Sequence, residues 1–296
     1  MKIFVTGATG FVGSAVVQAL LCANHEVVGL ARSDAATKSL AAAGAKAHRG
    51  ELQDFESLQK GAAESDGVIH TAFIHDFSKF KENCELDRRV VDTLGSELAG
   101  SDRPLIVTSA IGVLRAGQIV TEDTRPLSPS PNPRAATEEA ARALMDRGVC
   151  VSIVRLSPST HGKGDHGFVP ILIKMAREKN VSVYIGEGKN TWPAVHRLDA
   201  AQVFKLAVEK QACGAYYHAV AEEGVEFREI AEVIGQRLGV PVVSKSPEEA
   251  AAHFTWFAHF ASLNIKASSK QTQEKLGWHW RQPGLIADLQ SNYFKG

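Results

Sequence analysis

The sequence predicts an α/β fold, in which a doubly wound parallel sheet is followed by a small, discontinuous C-terminal cap. Short β-branched runs alternate with helical stretches through the first half, which is typical of repeated strand-helix-strand units. A glycine-rich turn at Gly7 directly follows the first of these runs and opens a helix. The 296 residues suffice for one such domain with a cap, and two independent domains are disfavoured.

Six short apolar runs in the first half are predicted strands of one sheet. They cover residues 2–6, 26–31, 45–49, 67–71, 104–108 and 149–156. Apolar residues recur at helical spacing in the segments between them, 12–23, 35–43, 55–63, 87–99 and 135–146. Because right-handed crossovers place such strands side by side, we expect the ligand outside their carboxyl ends, where the strand order reverses.

The rhythm of the chain changes after Pro158. In chain order we predict a loop at 160–167, a helix at 169–178, a strand at 181–185, a loop at 186–192, a helix at 198–210, a strand at 215–220 and helices at 227–238 and 247–261. This order predicts a dinucleotide-binding domain over 1–157, to which 195–222 return. The remaining segments, 158–194 and 223–296, are expected to form a substrate-binding cap.

Composition and charge exclude several classes of partner. Lys+Arg and Asp+Glu each total 33, so no net field attracts nucleic acid or an anionic membrane. Hydrophobic residues make up 44%, which is ordinary for a globular protein with a sizeable core. The apolar run at the start is too short for a signal peptide or a membrane span, and the four cysteines lie far apart. We therefore expect a cytoplasmic protein with reduced cysteines, no nucleic-acid partner and no membrane contact.

The run Thr6-Gly7-Ala8-Thr9-Gly10-Phe11-Val12-Gly13 lies between a predicted strand and a helix, the context in which glycines bind a dinucleotide. Gly7 allows the tight turn, Gly10 lets a pyrophosphate approach the backbone, and Gly13 lets the helix pack closely on the strand. The alternative is a glycine-rich turn without a ligand. The run predicts a Rossmann-type fold, with cofactor contacts from Gly7, Thr9, Gly10, Phe11, Val12 and Gly13.

The end of the second strand favours NADP(H) over NAD. An enzyme specific for NAD usually has an acidic residue here, against the ribose 2′-hydroxyl, whereas this chain has Arg32 followed by Ser33. An arginine can pair with the 2′-phosphate through two hydrogen bonds, and the serine can donate a third. Lys38 is a further candidate for binding the 2′-phosphate. The alternative is that Arg32 is a solvated surface residue.

Several further motifs follow the pattern of a known family. They are Gly50-Glu51-Leu52 with Asp54, Asp66-Gly67-Val68-Ile69-His70-Thr71-Ala72, Arg155-Leu156-Ser157-Pro158 and Val195-His196-Arg197-Leu198-Asp199-Ala200-Ala201. With the glycine run, they make the chain resemble the extended short-chain dehydrogenase/reductase family, also called the NAD-dependent epimerase/dehydratase family. The resemblance covers nearly the whole chain.

The resemblance implies further cofactor contacts. By analogy with the family, Glu51 and Leu52 flank the adenine, and Pro158 lies where the chain passes the nicotinamide. The remaining expected contacts, along the pyrophosphate, the ribose and the fifth strand, are Thr71, Ala72, Phe73 and Thr108. The resemblance also implies a possible homodimer built from two long helices of each subunit.

The catalytic signature of the family is missing. The family uses a tyrosine four residues before a lysine, and this chain has no tyrosine before Cys150. Aligning the relevant helix places Ser130 at the tyrosine position and Arg134 at the lysine position. The family's hydroxyl residue after the fifth strand falls on Ser109 or Ala110, of which Ser109 is the better candidate. The chain therefore resembles atypical members of the family, which need another proton donor.

A replacement donor must lie on the loops after strands four, five and six, beside the substrate carbonyl. The candidate catalytic residues are His75, Ser109 and His161. The neighbouring Asp76 is more simply a solvated carboxylate, and Ser109 can equally cap a strand end. His161, Asp165 and His166 could bracket a metal ion, although no further ligand is evident, so we expect none.

Other side chains in these regions have simpler interpretations. His70 and His196 lie in strand-like runs, where a buried histidine usually satisfies a backbone group, and we exclude both from catalysis. Phe168, Trp192 and Trp256 are candidates for an apolar wall of the substrate pocket, or else for the core of the cap.

Three functions compete. The leading hypothesis is an NADPH-dependent oxidoreductase that reduces a carbonyl-type small molecule with a non-standard proton donor. The missing tyrosine and lysine would also suit an NADP(H)-binding sensor or scaffold without turnover, although such a protein has no need of the histidine-bearing loop at 161–166. An NAD-dependent epimerase or dehydratase is disfavoured by Arg32 and by the lost tyrosine.

Overall fold

The computed structural model describes residues 1–115, 117–129 and 132–294. In chain order the strands are β1 (Lys2–Thr6), β2 (Glu26–Ala31), β3 (Lys46–Arg49), β4 (Gly67–His70), β5 (Leu105–Ala110), β6 (Ile119–Val120), β7 (Val151–Leu156), β8 (Ser159–His161), β9 (Ser182–Ile185), β10 (Thr191–His196), β11 (Tyr216–Ala219), β12 (Glu222–Glu226), β13 (Val242–Lys245) and β14 (Lys266–Ala267). The α-helices are α1 (Phe11–Cys22), α2 (Asp34–Ala43), α3 (Phe55–Ala63), α4 (Phe80–Glu97), α5 (Ala136–Asp146), α6 (Phe168–Lys179), α7 (Arg197–Lys210), α8 (Phe227–Leu238), α9 (Pro247–Phe254), α10 (Ala258–Ala261), α11 (Lys270–Leu276) and α12 (Leu285–Asn292).

Seven strands of the described chain form the central sheet, in the order β11-β7-β5-β4-β1-β2-β3. Every neighbouring pair in it is parallel. The strand order reverses between β1 and β4, so the carboxyl ends of these two strands border the crevice in which such sheets bind ligands. The predicted α/β class with a doubly wound parallel sheet is confirmed.

Helices cover both faces of this sheet because its strands are apolar on both sides. In β1, Ile3, Phe4 and Val5 are all fully buried. Helices α1 and α7 pack together over one face, and α3, α4 and α5 cover the other. This packing fixes the carboxyl ends of β1, β4 and β5 relative to one another.

The second half adds a separate apolar core. Strands β12, β10 and β8 form a small sheet, and β13 pairs with β9. Trp192, Phe227 and Phe257 are fully buried between this sheet and its helices. The segment expected to be a loop at 160–167 begins inside β8, and most of β10 was not predicted. The helix expected over 247–261 breaks after α9, at Thr255, whose φ is +52°.

Two features bear on the expected compartment. Cys150 and Cys213 form a disulfide, which differs from the expectation that all four cysteines stay reduced; Cys22 and Cys84 are free. Among the helices of the described residues, none combines the length and the apolar character needed to cross a membrane.

Candidate functional site

The glycine turn at the end of β1 is shaped by its neighbours. Gly7 has φ +68°, and a Cβ there would lie 2.7 Å from the amide nitrogen of Ala72. A Cβ on Gly13 would lie 2.0 Å from the carbonyl oxygen of Gly7. A Cβ on Gly10 would have that same oxygen, at 3.1 Å, as its single neighbour within 4 Å among the described residues, and Gly10 itself is exposed. Gly7 and Gly13 are therefore required by the fold, whereas Gly10 keeps open the space beside the N-terminus of α1.

The end of β2 presents a cation and a helix N-terminus. Arg32 is exposed and has no ion-pair partner among the described residues. Ser33 is the N-cap of α2, and its Oγ accepts a hydrogen bond from the amide of Ala36 at 3.2 Å. The nearest carboxylate in sequence, Asp34, pairs instead with Arg49 at 3.3 Å. The guanidinium of Arg32 is thus available to an anion.

The end of β4 lies directly against the glycine turn. The Thr71 Oγ1 donates to the carbonyl of Thr6 at 2.7 Å, and the Ala72 amide donates to the Thr6 Oγ1 at 3.4 Å. At the end of β3, Glu51 is exposed and Leu52 is half-buried. These expected cofactor residues follow the carboxyl ends of β3 and β4 in the central sheet. Their contacts with a cofactor remain predictions.

A buried ionic network underlies the nucleotide side of the crevice. Asp87 on α4 accepts from His70 at 2.9 Å and from Arg134 at 2.9 Å, while Thr137 donates to it at 2.5 Å. The other nitrogen of His70 lies 2.7 Å from the Thr6 Oγ1. Burial opposes the ionisation of Asp87, but Arg134 and the bonds from His70 and Thr137 outweigh it and lower its pKa. His70 is therefore structural in this network, in line with its exclusion from catalysis.

Arg134 is held rigidly at the family's lysine position. Besides Asp87, it donates to the carbonyl of Thr108 at 3.1 Å, and its guanidinium stacks 4.4 Å from the centroid of the Phe73 ring. Ser130, which aligns with the family's tyrosine, lies outside the described residues. The position that aligns with the family's lysine thus carries an arginine whose guanidinium is fixed by Asp87, Thr108 and Phe73.

Ser109 faces the protein interior. It is 1% exposed, and its hydroxyl donates to Glu138 at 2.6 Å. Glu138 in turn accepts two bonds from Arg155, both at 2.9 Å. Since side chains alternate along a strand, Ala110 and Thr108 point to the opposite side of β5. The geometry favours a structural role for Ser109, whose catalytic role stays an untested prediction.

His161 is also enclosed. It is fully buried in β8, its Nδ1 lies 2.8 Å from Asp288, and its buried Nε2 has no hydrogen-bond partner in the part of the chain that the structure describes. Its ring centroid lies 5.4 Å from that of His196, which caps α7. His161 is therefore oriented by a carboxylate, as a proton donor would be, but no surface of it is open to solvent.

His75 is the candidate that faces the crevice. It is exposed on the loop after β4, edge-on to Phe73 with centroids 5.2 Å apart. Partial desolvation lowers the pKa of His75, and the charges of Arg134 and His166 lower it further. The neighbouring Asp76 accepts hydrogen bonds from Ser78 and caps a turn.

His166 closes the other side of the crevice. It is exposed on the loop after β8 and lies edge-on to Phe11 of the glycine turn, with centroids 5.8 Å apart. The guanidinium of Arg197 lies over the ring of Phe11, 5.2 Å from its centroid. From the sequence, the individual role considered for His166 was that of a metal ligand. In the described part of the chain, no group of three or more His, Cys, Asp or Glu could hold a metal ion.

The model of the NAD dependent epimerase/dehydratase family matches residues 3–220. The chain belongs to this family. The predicted resemblance is therefore confirmed, and the chain is an oxidoreductase-type enzyme of a family that uses a nicotinamide cofactor.

Known proteins resemble the chain over almost its full length. An uncharacterized protein of Schizosaccharomyces pombe is 50% identical, over 99% of this chain and 100% of its own. A 4-hydroxy-2-methyl-3-oxo-4-farnesyl-3,4-dihydroquinoline-1-oxide ketoreductase of Stigmatella aurantiaca is 26% identical, over 85% of this chain and 78% of its own length. The solved structure of a dTDP-glucose 4,6-dehydratase from Streptomyces venezuelae, with NAD and TYD bound, superimposes with a TM-score of 0.78 at 20% identity, covering 98% of this chain and 96% of that one. The last likeness concerns the fold alone.

Proposed function

We propose that the protein is an NADP(H)-dependent reductase of a carbonyl-type small molecule, with His75 as its proton donor. The carrying observation is the position of His75, which is exposed on the loop at the carboxyl end of β4 and contacts the Phe73 ring, on which the fixed cation Arg134 also stacks. The similarity to a ketoreductase supports the same reaction type. Bound NADPH would supply the hydride that reduces the carbonyl carbon.

The crevice fits such a cofactor. The open space at Gly10, beside the N-terminus of α1, suits a pyrophosphate, because free backbone amides and the helix dipole favour an anion there. Arg32 and the capped N-terminus of α2 suit a 2′-phosphate in the same way. The other residues proposed to hold the cofactor are Gly7, Thr9, Phe11, Val12, Gly13, Ser33, Glu51, Leu52, Thr71, Ala72, Phe73, Thr108 and Pro158.

The proton would come from the imidazolium form of His75. Since the pKa of His75 is lowered, its protonated form is complete only well below the usual value of about 6.5. Activity limited by this proton is therefore highest at acidic pH and is lost as the pH rises through the pKa of His75. A profile of kcat/KM against pH should show one descending limb with a midpoint below about 6.5.

The experiment begins with a screen of ketones, aldehydes and activated alkenes for NADPH consumption. With an active compound, His75→Ala should lower kcat by about 10²–10⁴-fold, the usual worth of a positioned proton donor. His75→Gln should remove the descending limb. Ser109→Ala and His161→Ala test the other candidates, and a loss confined to one of them would move the role there.

Two results would contradict the proposal. Full activity of all three variants would place the chemistry elsewhere in the molecule. Tight NADPH binding without turnover of any compound would favour a sensor or scaffold. A homodimer is also proposed, from the family resemblance, and light scattering of the purified protein measures it.

A further inference from the structure

Aromatic side chains from both halves of the molecule meet across the crevice. Phe77 lies in a short 3₁₀ turn on the loop after β4, while Trp256 and Phe260 follow α9 in the cap. The rings of Phe77 and Trp256 stack with centroids 5.4 Å apart and planes 27° apart. Phe260 meets Phe77 edge-on, also at 5.4 Å. Together with Phe73, these three residues are called the aromatic rim.

The rim reaches the glycine turn on the nucleotide side through Phe73. Phe80 links the two rings of this loop, with its centroid 6.3 Å from Phe73 and 5.7 Å from Phe77. Phe73 follows Ala72, whose amide lies against Gly7. A ligand that extends outward from the crevice on this side therefore passes along aromatic surface.

The rim reaches the same turn on the cap side through Phe260. The ring of Phe260 lies 4.8 Å from that of Phe168, the first residue of α6. Just before α6, His166 contacts Phe11 of the glycine turn. The aromatic surface thus extends from the rim to the start of α6, two residues after His166. The sequence suggested Phe168 and Trp192 as walls of the substrate pocket. Phe168 contacts the aromatic rim through Phe260, whereas Trp192 is fully buried in the second apolar core.

The backbone is strained where the cap presents Trp256. Thr255 has φ +52° and ψ −123°, a conformation that β-branched residues rarely adopt and that costs about 1–3 kcal/mol. The break at Thr255 lets Phe254 and Phe257 remain buried, at 2% and 0% exposed, while Trp256 is 52% exposed. Trp256 keeps this exposed surface even though it stacks on Phe77, so apolar surface remains beside the stacked pair for a ligand to cover.

We propose that the rim binds a planar aromatic ring of the substrate, so that the reduced compound is an aromatic ketone or aldehyde. This inference rests on the proposed reductase function for its chemistry, but the binding step does not. In the reaction the carbonyl carbon gains a hydride from NADPH and its oxygen gains a proton from His75. The products are an alcohol and NADP⁺. Stacking against Trp256 and Phe77 selects a flat ring over a puckered one.

The test compares benzylacetone with its ring-saturated cyclohexyl analogue, which has the same chain and carbonyl group. Calorimetry with the NADP⁺-loaded protein should show tighter binding of benzylacetone by about threefold to tenfold, the scale of an aromatic pair. Trp256→Ala should abolish this preference and Trp256→Phe should retain it. Trp280→Ala is the matched control, since Trp280 is also exposed, at 44%, but contacts Trp278 instead.

The outcomes separate the site from the chemistry. Equal binding of the two ketones, no binding of either, or an unchanged preference in Trp256→Ala would overturn the aromatic site. A preference for benzylacetone without NADPH oxidation would support the site and contradict the reductase. If Trp256→Ala fails to bind NADP⁺ like the wild type, Phe77→Leu replaces it, with the same loss of preference expected.

Discussion

Gly10 and Gly13 differ in how much space the fold leaves for a side chain. Gly10 has extended dihedral angles, and a Cβ there would lie 3.1 Å from the carbonyl oxygen of Gly7, so a side chain requires only a small local shift. We expect Gly10→Val to abolish NADPH binding, because its side chain occupies the pyrophosphate's space, and to cost only about 1 kcal/mol of stability as a poorer N-cap. Calorimetry and thermal unfolding measure the two effects.

The control for this change is Gly13→Ala. Its Cβ overlaps the carbonyl oxygen of Gly7 at 2.0 Å, and we expect a loss of about 1–3 kcal/mol in the free energy of unfolding. Unchanged NADPH affinity in a folded Gly10→Val variant would remove the dinucleotide assignment of this turn.

Arg32 decides the cofactor preference in our proposal. The wild type should prefer NADPH over NADH, and Arg32→Ala should weaken NADPH binding by about 1–3 kcal/mol while leaving NADH nearly unchanged. The matched control is Arg88→Ala, which removes a half-buried arginine that pairs with Glu85 on α4. Equal losses for both cofactors would show that Arg32 does not contact the 2′-phosphate.

The residues of the glycine turn could be assigned from sequence because their roles follow from local backbone geometry. The partner of Arg134 could not, since Asp87 lies 47 residues earlier and is joined to it only by the packing of two helices. The same holds for Ser109, whose orientation depends on which side of β5 it occupies. A register error of one residue reverses that orientation.

At the scale of elements, the ion pair between Asp87 and Arg134 joins α4 to the start of α5. Asp87 is 2% exposed and Arg134 is 14% exposed. We expect Asp87→Asn to cost about 3–5 kcal/mol of unfolding free energy, because it leaves a buried guanidinium unpaired. Asp92→Asn is the control on the same helix, where the pair with Arg147 is exposed at 59% and 53% and is worth less than about 1 kcal/mol.

The same carboxylate makes stability depend on pH. The pKa of Asp87 is lowered in the folded protein, so its contribution is complete above the unfolded value of about 3.9 and is lost as the pH falls through the folded value. Denaturant titrations across this acidic range should show a shallower pH dependence for Asp87→Asn than for the wild type. Identical slopes would show instead that the pKa of Asp87 does not change on folding.

The elements that could be predicted are those with a sustained apolar period. Strands β1 and β2 and helices α3 and α8 have the bounds expected from sequence. Strand β8 has three residues, too few to show an alternating pattern, and its neighbour β10 contains a proline and a tryptophan beside polar residues. The break after α9 was missed because apolar residues continue at helical spacing through Thr255.

At the scale of the whole molecule, the crevice and the Cys150–Cys213 disulfide lie at opposite ends of the central sheet. Cys150 immediately precedes β7, at its amino end, and is bonded to Cys213 before β11. The crevice lies at the carboxyl ends of the strands. The site should therefore tolerate loss of the disulfide even though the fold is weakened.

Reducing this bond tests that separation. The bond joins residues 63 positions apart, and a loop of this length predicts a loss of about 4 kcal/mol in unfolding free energy when Cys150 and Cys213 are both replaced by serine. Urea unfolding with and without reductant measures the loss, and calorimetry should find the NADPH affinity unchanged. Cys22→Ser, which removes an exposed free thiol, should alter neither quantity. A fall in NADPH affinity on reduction would show instead that the amino end of the sheet controls the geometry of the crevice.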